Sequence, residues 1–154
     1  MDHIKKYETE SISRYINQLY RQGISFLGKE YKEYNIGAGQ YQFLVYLYMQ
    51  DGITHDQLTA NIGVDKAATT RAIVKLEEAG YIKRIQDKKD KRKYKIFLTE
   101  YAEKNREVII NTSKKWEKEL TEELTEEELK QFYCLFRKVT KSKLEDTFKE
   151  EKIY

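Results

Sequence analysis

A chain of 154 residues holds one compact domain or two small lobes sharing a core. With 40% apolar and 36% charged residues, it has material for that core and a strongly solvated surface. It has no proline to break a helix interior, and its one cysteine excludes an intrachain disulfide and fits a reducing cytoplasm. The net charge of +3 says little by itself, but its distribution is uneven. Residues 1–52 carry six acids and six bases, residues 53–98 six acids and eleven bases, and residues 99–154 fourteen acids and twelve bases. Positive charge gathered in the middle third points to a local anionic partner. No N-terminal apolar stretch resembles a signal peptide, and no run of about 18 apolar residues could span a bilayer. The expectation is a cytoplasmic protein without a membrane partner.

Residues 3–34 read as a long helix, with Ile12, Tyr15, Ile16, Leu19, Gly23, Phe26 and Leu27 recurring at spacings of three and four. The breaker cluster Asn35–Gly39 ends it. A second helix follows, with Tyr41, Leu44, Val45, Leu47 and Tyr48 as its apolar positions, and stops at Asp51-Gly52. Thr54 stands three residues before Gln57, a capping box for a short helix to about Ile62. After Gly63, Asp65 can cap another helix reaching about Ala79. Its packing face is Ala68, Ala72, Ile73 and Leu76. Lys66, Thr69, Thr70 and Lys75 lie opposite, and Arg71 reaches outward. Residues 81–85 and 94–98 read as two strands, joined by an almost wholly charged stretch, 86–93. Such a hairpin has no core of its own and must project into solvent or onto a partner. Thr99 can cap a long helix carrying Ala102, Val108, Ile109, Trp116 and Leu120. Thr125 and Glu128 form a second capping box before a last helix with Leu129, Phe132, Tyr133, Phe136 and Val139, continuing to Leu144 and Phe148.

The expected fold is mainly α, with a winged helix-turn-helix, a two-stranded β-wing, and long N- and C-terminal dimerisation helices. The expected boundaries are 1–38 for the first dimerisation helix, 39–98 for the DNA-binding part and 99–154 for the closing helices. In such a unit a short helix crosses the DNA backbone, a second enters the major groove, and a charged hairpin reaches beside it. Lys66, Arg71 and Lys75 would supply phosphate contacts or base-edge donors, and Thr69 and Thr70 would bond bases or phosphates without bulk. Asp65 caps this helix, and Ala67 and Ala68 keep its leading end slim. Thr54 and His55, at the start of the short helix, are candidates for the DNA backbone. On the wing the candidates are Arg84, Lys88, Lys89, Asp90, Lys91, Arg92 and Lys93.

Two stretches carry a family resemblance. Residues 64–71, Val-Asp-Lys-Ala-Ala-Thr-Thr-Arg, lead to Leu76-Glu77 and Gly80-Tyr81-Ile82, and then Arg84, Asp87, Asp90, Arg92, Ile96, Leu98 and Thr99 follow at fixed intervals. This pattern resembles the recognition helix and wing of the MarR family. The resemblance implies a homodimer on a pseudo-palindromic operator in double-stranded DNA, usually as a repressor, with release by a small phenolic or anionic effector. It implies that Arg92 enters the minor groove and that Asp90 restrains the wing by pairing with basic neighbours, Arg84 first among them. The family commonly has glycine three residues after Thr99, where this chain has Ala102.

Blander readings stand beside these. A charged run is often only a solvated loop. Cys134 lies among Phe132, Leu135 and Phe136 and reads as a buried packing residue, against a redox sensor that would need an exposed thiolate near basic groups. His3 and His55 are too few and too far apart for a zinc sensor, so neither a metal nor a cofactor is expected. Tyr20, Tyr31, Tyr34, Tyr41, Tyr46 and Tyr48 cluster around the first two helices, where packing is favoured over ligand binding, so the effector residues stay unknown. No phosphate loop or nucleophile motif supports an enzyme. The rivals are a winged-helix protein–protein module without DNA binding and a redox- or metal-responsive regulator.

Overall fold

The computed structural model describes residues 11–140. Residues 3–10 of the expected first helix, with His3, and Leu144 and Phe148 of the expected last one lie outside the described residues. The elements run α1 (Ile12–Glu30), a 3-10 turn (Lys32–Tyr34), α2 (Tyr41–Met49), β1 (Ile53–Thr54), α3 (His55–Ile62), α4 (Lys66–Glu78), β2 (Ile82–Gln86), β3 (Tyr94–Leu98), α5 (Glu100–Thr121) and α6 (Glu126–Thr140). Among the described residues, no helix is long and apolar enough to cross a membrane.

The local signals act as expected. Gln57 N–H donates to Thr54 Oγ1 and Thr54 N–H to Gln57 Oε1, closing the capping box of α3. Ala68 N–H donates to Asp65 Oδ1 at 2.7 Å, and Ala102 N–H to Thr99 Oγ1 at 3.2 Å. Thr125 and Glu128 close the second box ahead of α6.

The sheet departs from expectation. It has three antiparallel strands in the order β1-β3-β2, not two. Ile53 pairs with Ile96 and Thr54 with Lys95. This third strand is only two residues long, too short for any alternation to announce it. Asp51 and Gly52 set its register: Leu98 N–H donates to Asp51 Oδ1 at 2.9 Å, and Gly52 N–H to the Ile96 carbonyl at 3.0 Å. Gly52 has φ +72°, and a Cβ there would lie 2.9 Å from Phe97 Cε1, so glycine is required on both counts.

One core unites the elements across the expected boundaries. Leu27 and Tyr31 of α1, Phe43, Leu44, Leu47 and Tyr48 of α2, and Ala102 and Ile109 of α5 belong to the same buried cluster as Leu58, Ile73, Leu76, Ile82 and Ile96. The buried tyrosines meet backbone: Tyr31 OH donates to the Ile109 carbonyl at 2.9 Å, Tyr48 OH to the Ala102 carbonyl at 2.6 Å and Tyr81 OH to the Tyr34 carbonyl at 2.8 Å. Burial raises the pKa of all three phenols, which stay neutral donors. The packing reading therefore holds for Tyr31 and Tyr48, whereas Tyr20 is exposed.

The outer helices are covered on one side only. Gly23 lets α1 lie against Trp116 of α5, where a Cβ would approach Cζ2 to 3.2 Å. The other face of α1 exposes Ile12, Ile16, Tyr20 and Ile24, four residues apart each time. Helix α6 buries none of its residues, and Phe132, Leu135, Phe136 and Val139 are all exposed. Cys134 is exposed with them, against the expectation of a buried thiol. The residue types around it read as a packing face, but among the described residues that face stays exposed.

Candidate nucleic-acid interface

The candidate interface is built on α4 and the β2–β3 hairpin. Helix α4 buries Thr69, Ala72, Ile73 and Leu76 and leaves Lys66, Ala67, Thr70, Arg71, Val74 and Lys75 exposed. Ala68 is half-buried. A cleft between the helix and the wing is lined by Thr54, His55, Thr70, Val74, Arg84, Arg92 and Tyr94, among others. Of the sequence candidates, Thr54, His55, Thr70, Arg84, Arg92 and Lys93 line this cleft, whereas Lys75 lines a second recess with Lys32, Asn35 and Glu78.

Thr69 does not belong to the exposed surface. It is fully buried, and its hydroxyl donates to the Asp65 carbonyl at 3.1 Å while accepting from Thr59 Oγ1 at 3.0 Å. It sits one step round the helix from Thr70, close to the boundary between faces, where composition alone cannot decide burial. Its work is to join α3 to α4.

His55 belongs to the same joint. Its Nε2 lies 3.0 Å from Thr70 Oγ1, and the Thr70 hydroxyl donates to the Lys66 carbonyl at 2.8 Å. The Thr70 oxygen is therefore free to accept from Nε2 in the tautomer that carries its proton there. A phosphate contact from this nitrogen has to displace the Thr70 bond. Lys66 Nζ pairs with Asp56 at 3.1 Å, and that hydrogen bond holds the Asp56 carboxyl below the ordinary carboxylate range.

On the wing, Lys88, Lys89, Lys91, Arg92 and Lys93 are exposed. Two acids organise the turn that carries them. Asp87 Oδ1 accepts from the backbone N–H of Lys89 at 2.7 Å and of Asp90 at 3.1 Å, and Oδ2 pairs with Lys95 at 3.6 Å. These N–H donors come first in depressing its pKa. Asp90 Oδ1 accepts from Arg92 N–H at 3.1 Å, and Oδ2 faces Lys93 at 3.9 Å. Asp90 thus restrains the wing through the backbone, and its expected partner Arg84 is engaged elsewhere. Arg84 Nε and Nη2 donate to Glu77 Oε2 at 2.9 and 2.6 Å. The hairpin register places Arg84 opposite Ile96, near the base of the wing, while Asp90 sits in its turn. Glu77 and Asp87 both stood in the sequence pattern, but their roles depend on which groups the fold brings beside them. Among the described residues, no group of three or more His, Cys, Asp or Glu could hold a metal ion.

The comparisons agree with this architecture. The MarR family model matches residues 36–94. The chain is 31% identical over 127 residues to the HTH-type transcriptional regulator BilQ of Clostridioides difficile (strain CD3), covering 82% of this chain and 86% of that one. Among solved structures, a MarR transcriptional regulator from Methanosarcina mazei Go1 superposes with a TM-score of 0.76 at 35% identity, covering 84% of this chain and 96% of that one. A putative MarR family regulator from Listeria monocytogenes, solved in complex with a 26mer DNA, gives 0.78 at 28% identity, over 86% and 88%. With the helix-turn-helix, wing and flanking helices all in place, the chain belongs to the MarR family and is a transcription regulator, not an enzyme.

Proposed function

We propose that the chain acts in the cytoplasm as a homodimeric repressor that reads a two-fold symmetric site in double-stranded DNA. The observation that carries this is the convergence of α4 and the basic wing on one exposed face. Lys66, Thr70, Arg71 and Lys75 face the major groove, with Asp65 capping the helix and Ala68 keeping its end slim. Lys88, Lys89, Lys91 and Lys93 lie over phosphates, Arg92 reaches the minor groove, and Asp90 shapes the turn. Thr54 and His55 approach the backbone at the start of α3.

The exposed apolar stripe of α1 and the uncovered α6 support pairing with a second copy. Residues 1–38 and 99–154 then serve dimerisation and residues 39–98 serve DNA binding, around the shared core. Release by a small phenolic or anionic molecule is the family's habit and is the regulation we propose here.

Selection of bound sequences from random duplexes tests the reading. The expected result is a two-fold symmetric consensus whose binding weakens steeply with salt. The absence of any enriched sequence, with binding to duplex no tighter than to a neutral polymer, would favour a protein–protein module instead.

A further inference from the structure

Helix α4 and the wing are separate elements that must present their contacts to one duplex together. The chain turns from one to the other in three residues, with Gly80 at φ +81° and Tyr81 fully buried. Glu77 lies in the last turn of α4 and Arg84 on β2, seven residues on. The guanidinium meets the carboxylate side-on, Nε at 2.9 and 3.2 Å from the two oxygens and Nη2 at 2.6 Å from Oε2. This two-nitrogen fork fixes direction as well as distance. Arg84 also pairs across the ladder with Ile96, so its position is carried into both wing strands.

We infer that Glu77 is a positioning residue for DNA binding: it holds Arg84, and through it the angle between the recognition helix and the wing. Arg84 on this account is a strut and not a phosphate contact. The inference rests on the proposed DNA-binding function and deepens it. It also reverses a sign. Glu77 is an acid at the edge of a basic surface, next to an incoming polyanion, and simple electrostatics expects its removal to tighten binding. As a strut its removal weakens binding. The pair is partly exposed, with side-chain accessibilities of 47% and 33%, so its contribution to folding is small and the variants fold.

The test has two arms. In the first, the free protein is compared by backbone hydrogen exchange with Glu77→Gln, Arg84→Gln and the charge swap Glu77→Arg with Arg84→Glu. The single variants should speed exchange at 84–86 and 94–96 by about fivefold, the range of one exposed ion pair, and leave α3 unchanged. In the second, affinity for the selected duplex is followed across salt. Each single variant should weaken binding about fivefold with an unchanged salt slope, the double Gln variant should be no weaker than either, and the swap should regain most of the loss. Tighter binding by Glu77→Gln, or a salt slope reduced by about 0.9 per subunit in Arg84→Gln, would make Arg84 a phosphate contact and overturn the inference. Unchanged exchange in both single variants would overturn it as well. A wild-type protein that binds no duplex specifically would remove the proposed function, while the exchange arm would still decide whether the strut exists.

Discussion

Among individual residues, Thr69 and Asp87 show how a side chain's task differs from its type. Thr69 stands in a helix rich in groove-facing groups, yet it is buried and twice hydrogen-bonded. Thr69→Val should therefore cost about 1–2 kcal/mol of stability by denaturant unfolding, from the hydrogen bonds lost, while base preference stays the same. A changed consensus at unchanged stability would restore it to the interface. Asp87 gives a pH prediction. Its pKa is lowered in the fold, first by the N–H groups of Lys89 and Asp90. A depressed carboxylate contributes order that is present above its unfolded value, about 3.9, and is lost as pH falls through its lower folded value. The amide resonances of Lys89 and Asp90 should move together in that window, and Asp87→Asn should abolish the shared titration. Independent titrations of the two amides would contradict this account of the turn. The sequence made both residues visible as motif members, but the burial of Thr69 depends on Thr59 of the preceding helix and the Asp87–Lys95 pair on the opposite strand, and neither meeting shows in residue type.

Elements were legible wherever a cap and a long periodic run agreed. Thr54, Asp65, Thr99 and Thr125 all cap where their spacing indicates, because a cap is a local bond between residues three apart. Strand β1 was not legible, because two residues carry no period and its pairing is with a strand some forty residues away. Its register depends on Gly52. Gly52→Ala should destabilise the protein by about 1–3 kcal/mol, from the left-handed backbone and the close approach to Phe97. A thermal midpoint equal to that of the wild type would show that Phe97 and the turn adjust freely. The wing is the element whose chemistry divides most clearly. Arg92→Ala should weaken binding most on operators with A·T-rich flanks, since a narrow minor groove enhances the negative potential that an arginine senses. Lys88→Ala should weaken all duplexes about equally and flatten the salt dependence. Fluorescence anisotropy on A·T- and G·C-flanked duplexes separates the two, and a flank-independent loss for Arg92→Ala would contradict the minor-groove assignment.

For the whole molecule, the sequence indicated the helix order and the basic middle third, and the family pattern joined them into a regulator. What it could not indicate is the sharing of one core by the first helix, the DNA-binding part and α5, because the contacts of Tyr31 and Tyr48 span 78 and 54 residues. The same shared core packs the flanking helices directly against the DNA-binding part. In the proposed homodimer the exposed set on α6 meets a second copy, so Leu135→Glu should leave a monomer at micromolar concentration by sedimentation while helical circular dichroism persists. The central claim is that two copies, fixed by these helices, read two half-sites about one helical turn apart, roughly 10 bp between centres. Inserting five base pairs at the centre of the selected operator turns one half-site to the opposite face of the duplex. Affinity should fall at least about tenfold, towards that of a single half-site. Undiminished binding to the lengthened operator would contradict a rigid dimer reading both halves.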